Sequence, residues 1–148
     1  MSQEIEPAGV IIAVTESDVH VVGNRVLELA LATEGFRVVN LGVCTSARDI
    51  AEAYQANNDI IAIAIGSING HGGTDLRDFG SIRRDYQLGC RIFFGGYLEV
   101  GRRARMMDYT PGALETLGLD EILDDIPQLI GRLNSLRLAW RERRRGQF

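Results

Sequence analysis

The most apolar segment of the chain is Ile60–Ile65, six consecutive residues without a polar side chain. Such a run lacks the alternation of a strand with one solvated face, and it is far too short to cross a membrane. It therefore predicts a strand that is buried on both faces. Gly9–Val14 has the same character. Strands of this kind belong to parallel sheets covered by helices, so we expect helices to alternate with strands along the chain.

The rest of the sequence follows this alternation. The predicted strands are Gly9–Val14, Phe36–Leu41, Ile60–Ile65, Arg91–Phe94 and a weak Glu121–Leu123. The predicted helices are Val22–Thr33, a segment capped by Ser46 that runs to about Asn57, Asp75–Tyr86, Arg102–Met107, Pro111–Leu117 and Ile126–Arg143. This order predicts an α/β fold, a flavodoxin-like (Rossmann-like) open parallel sheet of five strands with helices on both faces.

The charge of the chain is distributed unevenly. Residues 137–148 contain five Arg and one Glu, a net charge of +4, so the net charge of −4 for the whole chain leaves −8 on residues 1–136. We expect one domain over residues 1–136 and an Arg-rich extension over 137–148, which is interpreted as a solvated or frayed helix end. An acidic body disfavours nucleic acid as a partner.

Residue types that the chain lacks exclude several functions. All 16 basic residues are Arg, which rules out Schiff-base chemistry and the lysine of a nucleotide-binding P-loop. The acidic start Met1–Glu6 does not resemble an export signal, and no segment is long and apolar enough to span a membrane. With only Cys44 and Cys90, the chain has no disulfide framework. We therefore expect a cytoplasmic protein.

The loops that follow the strands are where such sheets bind ligands. The first of them contains Asp18-x-His20-x-x-Gly23. A histidine that binds a metal often donates its other ring N–H to a carboxylate, and Asp18 and His20 have the spacing for such a pair. Two other interpretations remain at this point, in which His20 is an ordinary surface residue or Asp18 caps the next helix.

Other polar residues of these loops have a weaker signal. His71 lies in the glycine-rich run 66–73, either near a ligand or as a surface histidine, and a second glycine pair follows at Gly95-Gly96. The arginines 102, 103 and 105 are interpreted either as an anion clamp or, preferably, as the solvated first turn of a helix. Cys44 is expected to be a small hydrophobic residue at a loop end and not a nucleophile.

Four stretches of the chain resemble one family. They are Ser17–Asn24, Glu34–Val43 with its Gly-Phe-x-Val-Val-Asn-Leu-Gly-Val pattern, Asn69–Gly72 and Phe94–Gly101. Across roughly residues 8–120 the sequence resembles the cobalamin-binding small subunits of glutamate mutases, the methylaspartate mutase family.

The resemblance implies a cofactor, a metal ligand and a partner. The cofactor would be adenosylcobalamin, with His20 as the protein ligand of cobalt and Asp18 hydrogen-bonded to His20. The nucleotide tail of the cofactor would lie in a slot beside the sheet. The residues implied to contact the cofactor are Ser17, Asp18, His20, Val21, Gly23, Ser67, Ile68, Gly70, Gly95 and Gly96. The resemblance further implies an isomerase that works with a large barrel-type catalytic subunit, which holds a small amino-acid substrate.

The sequence departs from the family at two places. Gly66-Ser67-Ile68 stands where the family has Ser-x-Leu, so the first serine is missing, and Leu123–Pro127 replaces a Pro-Gly-Thr-type loop. Both changes fall where the nucleotide tail would bind. Two further functions stay open on the sequence alone, a non-catalytic cobalamin carrier or sensor and a flavodoxin-like interaction module without a cofactor.

Overall fold

A computed structural model describes residues 7–146 of the chain. Five parallel strands form one sheet in the order β2-β1-β3-β4-β5. The strands are β1 (Gly9–Val14), β2 (Arg37–Asn40), β3 (Ile60–Ser67), β4 (Arg91–Gly96) and β5 (Glu121–Ile122). The helices are α1 (Val21–Thr33), α2 (Ala47–Ala56), α3 (Gly72–Asp75), α4 (Phe79–Asp85), α5 (Pro111–Thr116) and α6 (Ile126–Arg145). The flavodoxin-like fold predicted from the sequence is confirmed.

Hydrophobic cores lie on both faces of the sheet. On one face, Ile11 and Ile63 pack with Ile50 of α2 and Phe79 of α4. The other core includes Val10 and Phe93 from the sheet, Leu31 of α1, and Leu133 and Trp140 of α6. Because β1 and β3 contribute side chains to both cores, their apolar character is continuous rather than alternating. None of the helices in the described part of the chain has both the length and the apolar character that a membrane span requires.

The single helix predicted over Asp75–Tyr86 is wrong. The chain forms α3 and α4, with a turn at residues 76–78 between them. In that turn the Phe79 N–H donates to the Leu76 carbonyl, a bond across three residues instead of four. Leu76 and Phe79 are both buried in the same core. A 3₁₀-like turn places residues three apart on the same side, which satisfies both side chains, whereas a continuous α-helix would separate them by about 60°.

The helix predicted over Arg102–Met107 is also wrong. The chain instead reverses direction at Gly101, whose φ of +78° lies in the left-handed region. Arg102 then forms an isolated bridge with Glu99, and only Met106–Asp108 is helical, as one 3₁₀ turn. The backbone N–H of Ala104 donates to the Gly96 carbonyl at 2.7 Å, so this segment is held by the end of β4 and not by helical hydrogen bonds.

Strands β3 and β4 are longer than the sequence predicts. Residues 66, 67, 95 and 96, predicted to lie in loops, are the last residues of these strands. The pairs Gly66↔Gly95 and Ser67↔Gly96 continue the ladder, because backbone hydrogen bonding tolerates glycine even where strand propensity is low. These four residues therefore have strand geometry.

Helix α6 continues without a break across residue 136. Trp140 is buried, Arg144 forms an ion pair with Asp59 at 2.6 Å, and Arg137 lies 4.0 Å above the ring of Phe36. The interpretation of the extension as a solvated helix end therefore holds only for its outer face. The division of the chain at residue 136 stays a prediction.

Candidate functional site

The loop after β1 and the loop after β3 meet at the carboxyl edge of the sheet, next to the point where the strand order reverses. Asp18 is the centre of this meeting, and it is only 3% exposed. Its Oδ1 atom accepts hydrogen bonds from the backbone N–H of His20 at 3.0 Å and from the His20 ring at Nδ1, 2.8 Å away. The Asp18–His20 pair that the spacing suggested is therefore present. The alternative role of Asp18 as a helix cap is not observed, since the residue at the cap position of α1 is His20.

The second oxygen of Asp18 binds the loop after β3. Oδ2 accepts hydrogen bonds from the backbone N–H groups of Ile68 at 2.6 Å and Asn69 at 3.2 Å, and from the hydroxyl of Ser67 at 3.2 Å. One buried carboxylate thus satisfies donors from both loops. Because both oxygens are occupied, the side chain has one orientation, and this orientation fixes the His20 ring.

These hydrogen bonds determine which nitrogen of His20 is available. Burial raises the pKa of Asp18, but the hydrogen bonds from the His20 side chain, the Ile68 backbone and the His20 backbone outweigh burial and lower this pKa to about 2. Asp18 is therefore ionised at neutral pH and can only accept hydrogen bonds. Nδ1 of neutral His20 consequently holds the proton, which leaves the lone pair on Nε2.

A second set of contacts joins the same two loops. The carboxylate of Asp75, in α3, accepts from the Ser17 hydroxyl at 2.7 Å and from the Ser17 backbone N–H at 3.1 Å. The Asn69 side-chain amide donates to the carbonyl and hydroxyl oxygens of Ser17 at 3.1 and 3.0 Å. Ser17 therefore helps to hold the loop that precedes His20.

Gly23 gives the His20 ring its space. A Cβ atom added at this position would lie 3.0 Å from Cδ2 of His20 and 3.4 Å from Nε2. Any side chain at residue 23 would therefore crowd the ring on the side of its free nitrogen. This contact gives a physical reason why the Asp-x-His-x-x-Gly pattern has glycine as its last residue.

His20 lies at the wall of a cavity of about 310 Å³, which we call the slot. The slot lies on the face of the sheet that is covered by α1 and α6, above the carboxyl halves of β3 and β4. Its lining is mostly apolar, and it consists of His20, Gly23, Leu27, Ala64, Ile65, Gly66, Ile68, Phe93, Phe94, Gly95, Gly96, Tyr97, Arg103, Leu123, Asp124, Asp125, Ile126 and Leu129.

The residues predicted from the sequence divide into two groups. Those that line the slot are His20, Gly23, Ile68, Gly95 and Gly96. Those that do not line it are Ser17, Asp18, Val21, Ser67 and Gly70. Of the second group, Asp18, Ser17 and Ser67 support His20 or its loop, as described above. Gly70 has a φ of +85° and allows a close approach to Val100, whose Cα atom would lie 2.7 Å from an added Cβ. Val21 is an exposed residue of the first turn of α1.

Sequence reasoning missed the walls of the slot and part of its support. Leu27 and Leu129 line the slot, but at helical spacing they look like ordinary core residues. Asn69 and Asp75 support the site through Ser17, which lies 52 and 58 positions away along the chain. No local pattern signals a contact across such a distance.

The remaining loop candidates lie around the site. His71 is exposed and outside the slot, and its backbone N–H donates to the Asn69 side chain at 2.9 Å. Arg103 lines the slot and donates to the Asp124 carbonyl, whereas Arg102 pairs with Asp108 at 2.7 Å. Cys44 is exposed and has a left-handed φ of +52°, and its backbone N–H donates to the Asp18 carbonyl at 3.0 Å.

The described residues do not provide a metal ion with a full set of protein ligands. Within residues 7–146 there is no group of three or more His, Cys, Asp or Glu side chains that would hold a metal ion. A single imidazole cannot enclose a bare metal ion, which ordinarily needs four or more ligands. A metal bound by His20 would therefore have to arrive with its other ligands already attached.

Comparison with known proteins gives a consistent result. Residues 8–121 match the family model described as the B12 binding domain. The chain is 33% identical over 124 residues to glutamate mutase sigma subunit 1 of Haloarcula marismortui, covering 84% of this chain and 80% of that protein. It is also 33% identical to the glutamate mutase sigma subunit of Clostridium tetanomorphum, with 67% and 72% of the two chains covered.

Solved structures agree at the level of the fold. A cobalamin-binding protein from Desulfitobacterium hafniense superposes with a TM-score of 0.69 at 14% identity, and the methanol:cobalamin methyltransferase complex MtaBC from Methanosarcina barkeri with 0.69 at 16%. The chain spans 60% and 46% of those two chains and is itself 88% covered in both comparisons.

The match over residues 8–121, the identity to sigma subunits and the Asp18–His20 pair beside the slot lead to one assignment. The chain belongs to the B12-binding domain family and, within it, to the glutamate mutase sigma subunits.

Proposed function

We propose that the chain is the cobalamin-binding small subunit of an isomerase, an adenosylcobalamin-dependent mutase that converts glutamate into 3-methylaspartate together with a separate barrel-type catalytic subunit. The observation that carries the proposal is the His20 ring, fixed by Asp18 through Nδ1 and placed at the wall of an apolar slot. The sigma-subunit relatives support the reaction type.

The residues present fit cobalamin on two counts. The first is the donor set, because one imidazole nitrogen suits a metal whose remaining ligands come from a corrin ring. The second is the open space above two strand residues that have no side chain, Gly66 and Gly95. Cβ atoms added at these positions would meet no protein atom closer than 3.8 and 3.7 Å, respectively. These two glycines leave room for an occupant and are not filled by neighbouring side chains.

Adenosylcobalamin, when bound, supplies the radical that starts a carbon-skeleton rearrangement by homolysis of its cobalt–carbon bond. The contribution of this chain is to bind and to orient. His20 would present Nε2 to cobalt, and Asp18 would keep the proton on Nδ1, which holds the ring in one tautomer and favours donation from Nε2. We assign the cofactor contacts to Gly23, Ile68, Gly95 and Gly96, and the support of His20 to Asp18, Ser17 and Ser67.

The slot is where this chain would hold the nucleotide tail. Leu27 of α1, Phe93 of β4 and Leu129 of α6 surround it with apolar surface. Burying a flat aromatic ring against such surface would be favourable, and it would also exclude water from the slot. Val21 and Gly70 would contribute to the rim of the site by shaping the loops and not by lining the slot.

The edge of the sheet around His20 has the character of a surface that another molecule covers. Val19, Val22 and Val100 are 68%, 78% and 72% exposed, and all three lie in or next to the loops at this edge. Exposed apolar side chains gathered in one region mark an interaction surface. We assign this surface to the corrin ring and to the catalytic subunit, which would hold the amino-acid substrate and cover the loop that bears His71.

The test is reconstitution. Purified chain, a candidate catalytic subunit and adenosylcobalamin are assayed for conversion of glutamate into 3-methylaspartate, each protein alone and both together. We expect turnover only with both proteins, and we expect the chain alone to change the absorbance spectrum of the cofactor to that of a form with histidine as lower ligand. Turnover by the isolated chain would contradict the two-component assignment. Cofactor binding without turnover under any partner would favour a carrier or sensor.

A further inference from the structure

Helix α1 has little in its own sequence that holds it in place. It contains one glycine and three valines, which have low helix propensity. Its N-cap residue His20 makes no capping hydrogen bond through its side chain, whereas side chains cap the N-termini of α2, α5 and α6. Leu31 is the only apolar residue of α1 that is fully buried. The helix therefore depends on contacts with other elements, one of which is the hydrogen bond of 2.8 Å from Asn40 of β2 to the Asn24 side chain.

The C-terminal end of α1 is a Schellman turn. The Phe36 N–H donates to the Leu31 carbonyl at 3.2 Å, and the Gly35 N–H donates to the Ala32 carbonyl at 3.0 Å. Gly35 provides the left-handed φ of +89° that this turn requires. The turn satisfies two of the last carbonyls of the helix but not that of Glu34, the C-cap residue. The last turn of α1 also contains no basic residue that would balance the helix dipole.

Arg137 of α6 supplies both a donor and a positive charge at this end. Its Nη1 donates to the Glu34 carbonyl at 2.7 Å, and its Nη2 donates to the Asn134 side chain at 2.8 Å. The guanidinium lies 4.0 Å from the centre of the Phe36 ring. A cation at a helix C-terminus is favourable, and hydrogen bonds from charged donors are stronger than neutral ones. One side chain of α6 thus completes the end of α1 from 103 positions away along the chain.

Arg137 lies on a part of α6 that is firmly attached to the sheet. Leu133 and Trp140, one turn before it and one turn after it, are buried in the core on this face. Near the end of α6, Arg144 forms an ion pair of 2.6 Å with Asp59, which precedes β3. The helix that carries Arg137 is therefore a fixed support for the end of α1.

From these contacts we propose that Arg137 is a positioning residue for the cofactor site, which keeps α1 ordered before the cofactor binds by completing the C-terminal end of this helix. The inference rests on the proposed function, since His20 precedes α1, and Gly23 and Leu27 of α1 line the slot. Arg137 does not line the slot and acts only through α1. If α1 is ordered in a smaller fraction of the free chains, the apparent affinity for the cofactor falls by that fraction.

The experiment compares the unaltered chain with Arg137→Ala, Arg137→Lys and Arg141→Ala. Lysine keeps the charge and one donor for the Glu34 carbonyl, but it lacks the planar fork of arginine. Arg141→Ala is the matched control, because it removes the same charge from an exposed side chain one turn further along α6. Amide hydrogen exchange without cofactor measures the order of α1. Stopped-flow absorbance with adenosylcobalamin measures the association and dissociation rates.

In Arg137→Ala the amides of α1 should exchange about tenfold faster, because a charged hydrogen bond and a favourable dipole contact are lost. The amides of β1 and β3 should stay as protected as in the unaltered chain, which also shows that the variant is folded. The affinity for adenosylcobalamin should fall by about threefold, through slower association at an unchanged dissociation rate. Arg137→Lys should recover most of the affinity, and Arg141→Ala should behave as the unaltered chain.

Three results would overturn the inference. Equal exchange of α1 in Arg137→Ala and in the unaltered chain would show that the helix does not depend on this contact. Faster exchange throughout the sheet would show that Arg137 stabilises the whole fold and has no specific effect on α1. An unchanged affinity, or a loss that comes from faster dissociation, would show that Arg137 does not act on the free chain. None of these results touches the proposed function, whereas failure of the unaltered chain to bind adenosylcobalamin overturns that function, and the positioning role with it.

Discussion

The Nδ1 atom of His20 lies 2.8 Å from Oδ1 of Asp18, while Oδ2 of the same carboxylate accepts the backbone N–H of Ile68 at 2.6 Å. The imidazole ring that we propose as the cobalt ligand is therefore connected by hydrogen bonds, through one buried carboxylate, to the loop that follows the central strand β3. The direction of the histidine is set by the sheet and not by the flexibility of its own loop. Substitutions of residues in the β3 loop that do not line the slot should consequently affect cofactor binding without touching the cofactor.

Asp18→Asn should weaken the binding of adenosylcobalamin by about 10–100-fold, the usual cost of losing a carboxylate behind a metal-binding histidine. An amide has only one acceptor oxygen, and its NH₂ group would face the N–H donors of the β3 loop. The affinity is measured by titration of the cofactor, followed by absorbance. Asp75→Asn is a control with the same change of charge, because one oxygen of Asp75 accepts both bonds from Ser17 and an amide oxygen can replace it. Equal losses in the two variants would contradict the special role of Asp18.

Ser67→Ala tests whether the Ser67 hydroxyl supports Asp18 or contacts the cofactor. Since Oδ2 of Asp18 retains its two backbone donors, we expect the affinity for adenosylcobalamin to fall by less than about threefold and the free energy of unfolding by about 1 kcal/mol. Ser135→Ala, on the exposed side of α6, should change this free energy by less than about 0.5 kcal/mol. A loss of affinity as large as that of Asp18→Asn would instead place the hydroxyl in the cofactor site.

Asp18 should make the stability of the protein depend on pH in the acid range. Its pKa is about 2 in the folded chain, below the ordinary value of 3.8 for an aspartate in an unfolded chain, so the unfolded chain takes up the proton first as the pH falls. The stabilisation, about 2 kcal/mol, is complete above about pH 5, is about half lost at pH 3 and disappears below about pH 2. Urea unfolding of the unaltered chain and of Asp18→Asn between pH 6 and pH 3 measures it. A difference between the two proteins that stays constant over this range would refute the assignment.

Gly96→Ala should destabilise the fold severely. Gly96 has a φ of +118°, and a Cβ at this position would lie 2.0 Å from the Ser67 carbonyl oxygen. We expect a loss of at least about 2 kcal/mol in the free energy of unfolding, because both the backbone conformation and the neighbouring strand have to change. Gly131→Ala, in the middle of α6 and free of contacts, should instead stabilise the protein by about 0.5–1 kcal/mol. Equal stabilities of the two variants would contradict this account of the β4 end.

The strands were predictable where burial alone determines them. Ile60–Ile65 and Gly9–Val14 are apolar on both faces because helices cover both faces, and this pattern is visible in the sequence. The break between α3 and α4 was not visible, because it depends on the shared burial of Leu76 and Phe79 in one core. Tertiary packing overrides local helical periodicity at such places.

The candidate site was predictable where its residues are neighbours in the sequence. Asp18, His20 and Gly23 interact within six residues, so their spacing carries the signal. The contacts of Asn69 and Asp75 with Ser17 join segments more than 50 residues apart. The pairing of Gly66 with Gly95 beside the slot depends on the register of strands β3 and β4. A single sequence does not contain the register of its strands.

The most direct test of the account is electron paramagnetic resonance of cob(II)alamin bound to the chain, with the protein labelled uniformly with ¹⁵N and the cofactor unlabelled. If Nε2 of His20 ligates cobalt, each cobalt line should be split into three by one nitrogen of the unlabelled protein and into two by that of the labelled protein, and His20→Ala should abolish this splitting. A three-line splitting that persists in the labelled protein would show that the ligand is the cofactor's own base, and it would contradict the assignment of His20.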